Sequence, residues 1–349
     1  MNTTLDLVTL LFLGGGPRQW RDLLRRGPLR DTFARPGDHV ELLGEEAAGL
    51  LASGQAARAA EQEVSRAIAL GIRLVGLDDP GYPGRLKEIY DPPPVLYVKG
   101  VLPEDEEPAA VAIVGSRAAT PAGRALARGL GRDLASWGVT VVSGLARGID
   151  GEAHQGALDA GGRTVAVLGS GLDRLYPPEH AALAHALQKD GALVSEFPLG
   201  TSPLAHHFPR RNRIIAGWSQ GVVVVEAARR SGALNTARTA LDEGREVLAV
   251  PGHPSQAQSE GTNQLIREGA VLVRDARDVA EELGVAVPEA VAAIPDGLAG
   301  ALPLHVPTSL EELQRRSGLE TPALLARLTE LELKDRVRRL PGALFVRHH

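Results

Sequence analysis

The sequence predicts an α/β protein built on a doubly wound parallel sheet, and three observations carry that expectation. Between Val111 and Val273, short apolar runs recur, most of them followed by Gly or Ser and then by a stretch with helical spacing. The runs are apolar throughout instead of alternating, as strands covered on both faces are. Aromatic residues make up only 3% of the chain against 44% hydrophobic, so the core must rest on Val, Leu, Ile and Ala.

Taken in order, residues 1–75 read as helical. Apolar positions recur at helical spacing in Leu5, Leu7, Val8, Leu10 and Leu11, and again from Ala56 to Leu70, with breaks at Gly16-Pro17 and Gly27-Pro28. A connector punctuated by Asp79-Pro80-Gly81 and Asp91-Pro92-Pro93-Pro94 leads to a short strand, Val95 to Val98. The sheet runs follow: Val111–Val114, Val139–Val142, Thr164–Leu168, Ala192–Val194, Val222–Val225, Val247–Val250 and Val271–Val273. Strand and helix in alternation give the parallel arrangement.

The composition then loosens into an Ala/Pro/Gly linker over 284–307. From Thr308 an apolar-periodic helix (Leu310, Leu313) turns at Gly318. A second helix opens at Thr321-Pro322 with Leu324, Leu325, Leu328 and Leu331 on one face. Two short strands about Pro341-Gly342 end the chain. Helix, helix, hairpin is the outline of a small winged-helix domain. The expected division is thus a helical module over 1–75, a sheet domain over 76–283, a linker over 284–307 and a winged helix over 308–349.

Composition narrows the chemistry. The chain has no Cys, which excludes disulfide frameworks, thiol catalysis and Cys-ligated zinc or iron–sulfur sites. The start lacks the basic region of a secretory signal, and no stretch approaches the ~20 apolar residues of a membrane helix. A soluble, cytoplasmic protein without membrane contact is expected. The net charge of −5 does not announce a nucleic-acid binder, so the question is whether positive residues cluster.

They do, where an open parallel sheet binds its ligands: beyond the carboxyl ends of the strands. Those ends read Gly115-Ser116-Arg117, Ser143-Gly144-Leu145-Ala146-Arg147-Gly148, Gly169-Ser170-Gly171, Ser195-Glu196, Glu226-Ala227 and Pro251-Gly252-His253. Glycines let a ligand approach closely, and the helix starts beyond offer N–H groups to anions. Arg117 and Arg147 are expected at that rim. The densest cluster is His206-His207-Phe208-Pro209-Arg210-Arg211-Asn212-Arg213, with three Arg, no acid and one of only five Phe residues. Basic groups neutralise phosphates and an aromatic face stacks on any base. The competing structural role is a helix start whose arginines pair with nearby carboxylates.

Other chemistry lacks its motifs. There is no G-x-x-x-x-G-K-[ST], no G-x-G-x-x-G at the first strand and no H-E-x-x-H. His154, His206, His207 and His253 have no metal-ligand spacing and read as surface or loop histidines. Asp150 and Glu152 open a helix, where acids favour the dipole. No metal, cofactor or catalytic residue is expected.

The quoted motifs, with Asp150, Ala153-His154, Tyr176-Pro177, Ile214-Ile215-Ala216-Gly217 and Gly261-Thr262-Asn263, resemble the DprA (Smf) DNA-processing proteins over roughly residues 78–275. The resemblance implies an extended Rossmann-like domain that binds single-stranded DNA without catalysing a reaction, and dimerises through that domain. It also implies protection of incoming strands and their loading onto the RecA recombinase in natural transformation. A helical SAM-like domain and a winged helix typically flank that domain. By the same carry-over Arg117 and Arg210, Arg211 and Arg213, with Asn212, hold phosphates, and Phe208 touches a base. Gly115, Ser116, Ser143 and Gly144 let the strand approach, and Arg147 is a further phosphate contact.

Two departures stand out. Ser231-Gly232-Ala233-Leu234-Asn235-Thr236 replaces the usual Ser-Gly-Ser-Leu-Ile-Thr, with Asn235 expected to cap the helix start, and Pro178-Glu179-His180 stands where an Asn is usual. The winged helix leaves duplex DNA or a protein open as its partner: residues 306–349 hold 8 Lys/Arg against 6 Asp/Glu, and Arg336, Arg338 and Arg339 lie on its hairpin. The runner-up function is a nucleoside monophosphate phosphoribohydrolase-like enzyme on the same fold. Pro251-Gly252-His253-Pro254 lacks the glycine loop that chemistry uses. A sequence-specific transcription factor led by the winged helix is the third reading.

Overall fold

A computed structural model describes residues 2–102, 109–287, 302, 307–333 and 337–347. It divides into two compact units, Met1–Ala286 and Val287–His349.

The first unit opens with six helices: α1 (Thr4–Leu11), α2 (Pro17–Arg26), α3 (Leu29–Ala34), α4 (Val40–Leu43), α5 (Glu45–Ala52) and α6 (Gln55–Ala69). Thr3 and Asp6 form a reciprocal cap on α1, and Pro17 occupies the first turn of α2, where a missing N–H costs nothing. Their buried faces (Leu7, Leu10, Trp20, Leu23, Leu29, Ala60) pack with Tyr97, Leu168 and Leu193 of the sheet region in one cluster. Glu63, buried on α6, strengthens this join by accepting the Leu199 N–H at 2.6 Å.

Nine strands form the sheet, in the order β1-β2-β6-β5-β4-β3-β7-β8-β9. They are β1 (Arg73–Gly76), β2 (Val95–Gly100), β3 (Ala110–Val114), β4 (Thr140–Ser143), β5 (Thr164–Val167), β6 (Ala192–Ser195), β7 (Gly221–Val224), β8 (Glu246–Ala249) and β9 (Val271–Leu272). The connecting helices are α7 (Gly84–Lys87), α8 (Pro121–Ser136), α9 (Ile149–Asp159), α10 (Ala181–Leu187), α11 (His207–Trp218), α12 (Gly232–Asp242), α13 (Glu260–Arg267) and α14 (Ala276–Glu282). Strands β3 to β9 pair in parallel, and β3, β4, β5, β6 and β7 are buried at every position. The two faces carry separate cores, one with Val114, Val142, Ile214 and Val222, the other with Val111, Ile113, Leu130 and Ile149. This is the doubly wound, Rossmann-like arrangement.

The sheet is mixed rather than wholly parallel. β1, read as the end of the helical module, is a strand: it pairs antiparallel with β2, and β2 pairs antiparallel with β6. Sequence order runs outward from β3 to β6 on one side, then returns to place β7, β8 and β9 on the other. The strand order therefore reverses between β3 and β7. A crevice opens at such a switch point, because helices beyond adjacent strand ends leave on opposite faces.

The second unit comprises β10 (Thr308–Ser309), α15 (Leu310–Ser317), α16 (Thr321–Leu333), β11 (Val337–Leu340) and β12 (Leu344–Arg347). The three strands form a sheet in the order β10-β12-β11. Ser309 caps α15 and Gly318, left-handed at φ +67°, ends it. Leu302, Leu313, Leu324, Leu328, Val337 and Phe345 fill the core, giving the winged-helix outline. Most of the 284–307 linker and Arg336 lie outside the described residues. Among the described residues, no helix is long and apolar enough to cross a membrane.

Candidate nucleic-acid interface

A cleft of about 650 Å³ occupies the switch point. One wall is the β3 end, Gly115, Ser116 and Arg117. A second is the first turns of α11, with Phe208, Arg211 and Asn212, and a third is the start of α12, with Arg230, Ser231, Gly232, Asn235 and Thr236. Asp150 is the one carboxylate among its lining residues, against Arg117, Arg211 and Arg230. A chain of net charge −5 thus concentrates positive charge where helix starts also face inward.

Arg211 is the structural centre. It is 4% exposed, and its Nη1 donates to Gly144 O at 2.7 Å and to Val167 O at 2.6 Å, bridging the ends of β4 and β5. Gly144 is needed here because a Cβ at that position would lie 2.0 Å from Arg211 Nη1. Burial pulls the guanidinium down to about 10, and neighbouring Asp150 opposes the shift, so Arg211 stays charged. Burial likewise raises Asp150, countered by Arg211 and by the Gly144 and Ala146 N–H groups. The loop between β4 and α9 holds Leu145 at φ +57°, a conformation unfavourable for a branched residue; full burial of its side chain keeps it there.

Phe208, half-buried, forms the aromatic part of the rim. Arg117 lies 5.0 Å and Arg211 5.8 Å from its ring centre, and Tyr176 packs at 6.0 Å. Arg117 is exposed and has no carboxylate partner among the described residues. A smaller depression beside the cleft gathers Gly144, Arg147, Tyr176 and Phe208 with Arg117 and Arg211. Exposed Arg147 pairs there with Glu179.

Of the residues singled out in the sequence, the cleft brings together Gly115, Ser116, Arg117, Phe208, Arg211 and Asn212. Gly144 and Arg147 adjoin it. It does not bring in Ser143, whose buried hydroxyl donates to Ile113 O at 2.6 Å, tying β4 to β3. Nor does it bring in Arg210 and Arg213. Both turn to Glu196, 1% exposed at the β6 end: Arg213 Nη2 donates to its Oε2, and Arg210 Nη2 does so at 3.1 Å. Arg210 also lies 4.9 Å over the Trp20 ring, so it braces the helical module. Gly115 faces Ile149, whose Cγ1 would be 2.5 Å from an added Cβ, so its smallness serves α9 packing.

The α12 wall was missed by sequence reasoning. Its signal was the Ser-Gly pair after the Glu226-Ala227 strand end. Ser231, and not Asn235, caps α12, its Oγ accepting from Ala233 N at 3.3 Å, while Asn235 lines the cleft.

The histidines take different places. His207 stacks on Phe197 at 4.4 Å, and His253 bonds Ser255 in its loop. His154 is a buried strut and not a surface residue. The Thr164 hydroxyl donates to Val141 O at 2.7 Å, so it must accept from His154 Nδ1–H, also at 2.7 Å. His154 Nε2 is left buried without a partner. Burial first, then the positive neighbours His180 and Arg211, push its pKa to about 3. Between pH 6.5 and about 3 the unfolded chain binds a proton here and the folded chain does not. Stability is therefore complete above pH 6.5 and falls with pH below it, by about 1.4 kcal/mol per unit from this group. We expect urea midpoints to drop as pH falls from 6.5 to 5, and His154→Gln to flatten that slope; an unchanged slope in the variant would contradict the assignment.

Comparison with known proteins decides the lineage. The family model of DNA recombination-mediator protein A matches residues 73–284. The chain belongs to this family, the DprA proteins. The DprA winged helix domain matches residues 286–343. Protein Smf of Escherichia coli (strain K12) is 44% identical over 284 residues, covering 77% of this chain and 76% of the relative. DNA processing protein DprA of Streptococcus pneumoniae is 46% identical over 210 residues, 59% of this chain and 72% of the relative. The X-ray structure of the Streptococcus pneumoniae DprA superimposes with a TM-score of 0.71 at 35% identity, over 80% of this chain and 98% of that one. A Helicobacter pylori DprA, solved for its single-stranded DNA binding mode, gives 0.55 at 28% identity, over 60% and 95%.

Proposed function

We propose that this chain binds single-stranded DNA in the switch-point cleft, without sequence preference and without catalysing a reaction. The observation that carries the proposal is the convergence of Arg117, Arg211 and Arg230 on one crevice, with the Phe208 ring on its rim. Arginines take the phosphates, the ring stacks on a base, and Asn212, Ser116, Ser231 and Asn235 supply hydrogen bonds to whichever edge is presented. Arg147 and Gly144 extend the path towards Tyr176. Arg210 and Arg213 position α11 through Glu196.

Family membership, and the single-stranded DNA binding of the Helicobacter pylori relative, support the reading. On the same basis we assign the chain to the cytoplasm and to DNA processing in natural transformation and recombination. There it acts as a homodimer through the sheet domain, protects incoming strands and loads them onto the RecA recombinase. The winged helix takes a protein or duplex DNA as its partner. The phosphoribohydrolase alternative is not favoured. At the Pro251-Gly252 turn, Asn263 bonds both the Gly252 N–H and its carbonyl, leaving the loop turned to its own helix.

The test is titration of the full chain with a fluorescent dT oligomer and with a duplex of the same length. We expect tighter binding of the single strand, since a stacking rim reaches only unstacked bases. Equal affinity for duplex would move the binding to the winged helix.

A further inference from the structure

We propose that Glu226 is a specificity-determining residue that fills the anion position at the start of α8 with the chain's own carboxylate. The cleft then holds a phosphodiester strand but refuses free phosphate and mononucleotides. The inference rests on reading the cleft as a strand site.

In sheets of this architecture the first βα turn at the switch point receives a ligand phosphate on the helix N-terminus. Here that turn lies between β3 and α8, and Glu226, at the end of neighbouring β7, reaches it. The Thr120 N–H donates to Glu226 Oε2 at 2.9 Å, and the Thr120 hydroxyl donates to Oε1 at 2.5 Å. The same hydroxyl accepts the Gly123 N–H at 3.0 Å, so the carboxylate is relayed onto the first turn. Pro121, at the first helical position, brings no N–H of its own. A Cβ on Gly123 would fall 2.3 Å from Glu226 Cδ, so the absence of a side chain there makes the seat for the carboxylate.

An anion arriving at this turn meets a negative charge and donors already engaged. A lone phosphate finds the donors of the α8 turn taken and cannot span the arginines spaced along the cleft. A strand collects several spaced contacts at once, as Arg117, Arg211 and Arg230 allow. Glu226 thereby converts a fold suited to nucleotides into one that ignores them, which matters in a cell where free nucleotides compete for any phosphate site.

The experiment titrates the full chain with inorganic phosphate and with AMP, by calorimetry and by displacement of the labelled dT oligomer, against chloride of matched ionic strength. The wild type is expected to show no heat and no displacement beyond the chloride control. Glu226→Ser, which opens the seat and keeps a small hydroxyl, is expected to bind phosphate and AMP at least about tenfold more tightly. Glu226→Gln, which keeps the shape and removes the charge, guards against a folding defect in the Ser variant and should show a smaller gain. Phosphate binding by the wild type equal to the variants', or folded variants that still refuse it, would overturn the proposal. If the oligomer itself fails to bind, the strand reading falls, while the phosphate heats still report on Glu226.

Discussion

Replacing Arg213 by Ala is expected to destabilise the chain by about 3 kcal/mol while leaving the cleft surface chemically intact. Arg213 contributes a charge-assisted bond to Glu196, a carboxylate 1% exposed. Removing one partner of a buried pair leaves a charge in low dielectric, a loss of about 3–5 kcal/mol. Arg210 still reaches Glu196, which places the effect at the lower end. The urea midpoint reads the loss. The double variant Arg213→Ala with Glu196→Gln should recover part of it, because the stranded charge is gone. If single-strand affinity falls instead, with the midpoint unmoved, Arg213 belongs to the DNA contact and its assignment to Glu196 is wrong.

Arg211→Ala is expected to fail on both counts. It removes the donor that bridges the Gly144 and Val167 carbonyls and leaves Asp150 buried without its positive neighbour. The stability loss should be about 3–5 kcal/mol, and single-strand affinity should fall about tenfold or more. Arg211→Lys separates the two effects. A lysine keeps the charge and one nitrogen for the two carbonyls that Nη1 holds, but lacks the other guanidinium nitrogens that remain to address a strand. We expect Arg211→Lys to fold and to bind clearly more weakly than wild type. Wild-type affinity in the lysine variant would show that the guanidinium geometry is not what the cleft uses.

The contrast between these arginines shows what the sequence could carry. The run from His206 to Arg213 stood out as a basic cluster, but a helix distributes it over faces. Phe208 and Arg211, three apart, share the cleft face, and Arg210 and Arg213, also three apart, share the face turned to Glu196. Spacing alone could have separated the pairs. It could not have named Glu196, which lies at the end of another strand and meets α11 only in the folded sheet. The α12 wall was hidden for a similar reason: β7 lies beside β3 by strand order, which local pattern does not encode.

The buried parallel strands were legible because each is a short, mostly apolar run without alternation, a demand that both-face burial imposes on sequence. β1 escaped notice for the opposite reason. Arg73-Leu74-Val75-Gly76 is short, follows directly on a helical pattern and is only half apolar, as suits an edge strand with one neighbour. Asp150 read as an ordinary helix-start residue and His154 as a surface or loop histidine, and only their burial against Arg211 and Thr164 gives them work at the cleft.

The central claim, that a single strand lies in the switch-point cleft, is tested most directly by salt dependence in Arg117→Ala. Arg117 is exposed and free of any carboxylate partner among the described residues, so its loss should leave the fold unchanged. The logarithm of dT-oligomer affinity against the logarithm of salt should be steep for wild type and shallower by about 0.7 in the variant, the share of one phosphate contact on a single strand. Affinity and slope both unchanged would place the strand elsewhere on the molecule.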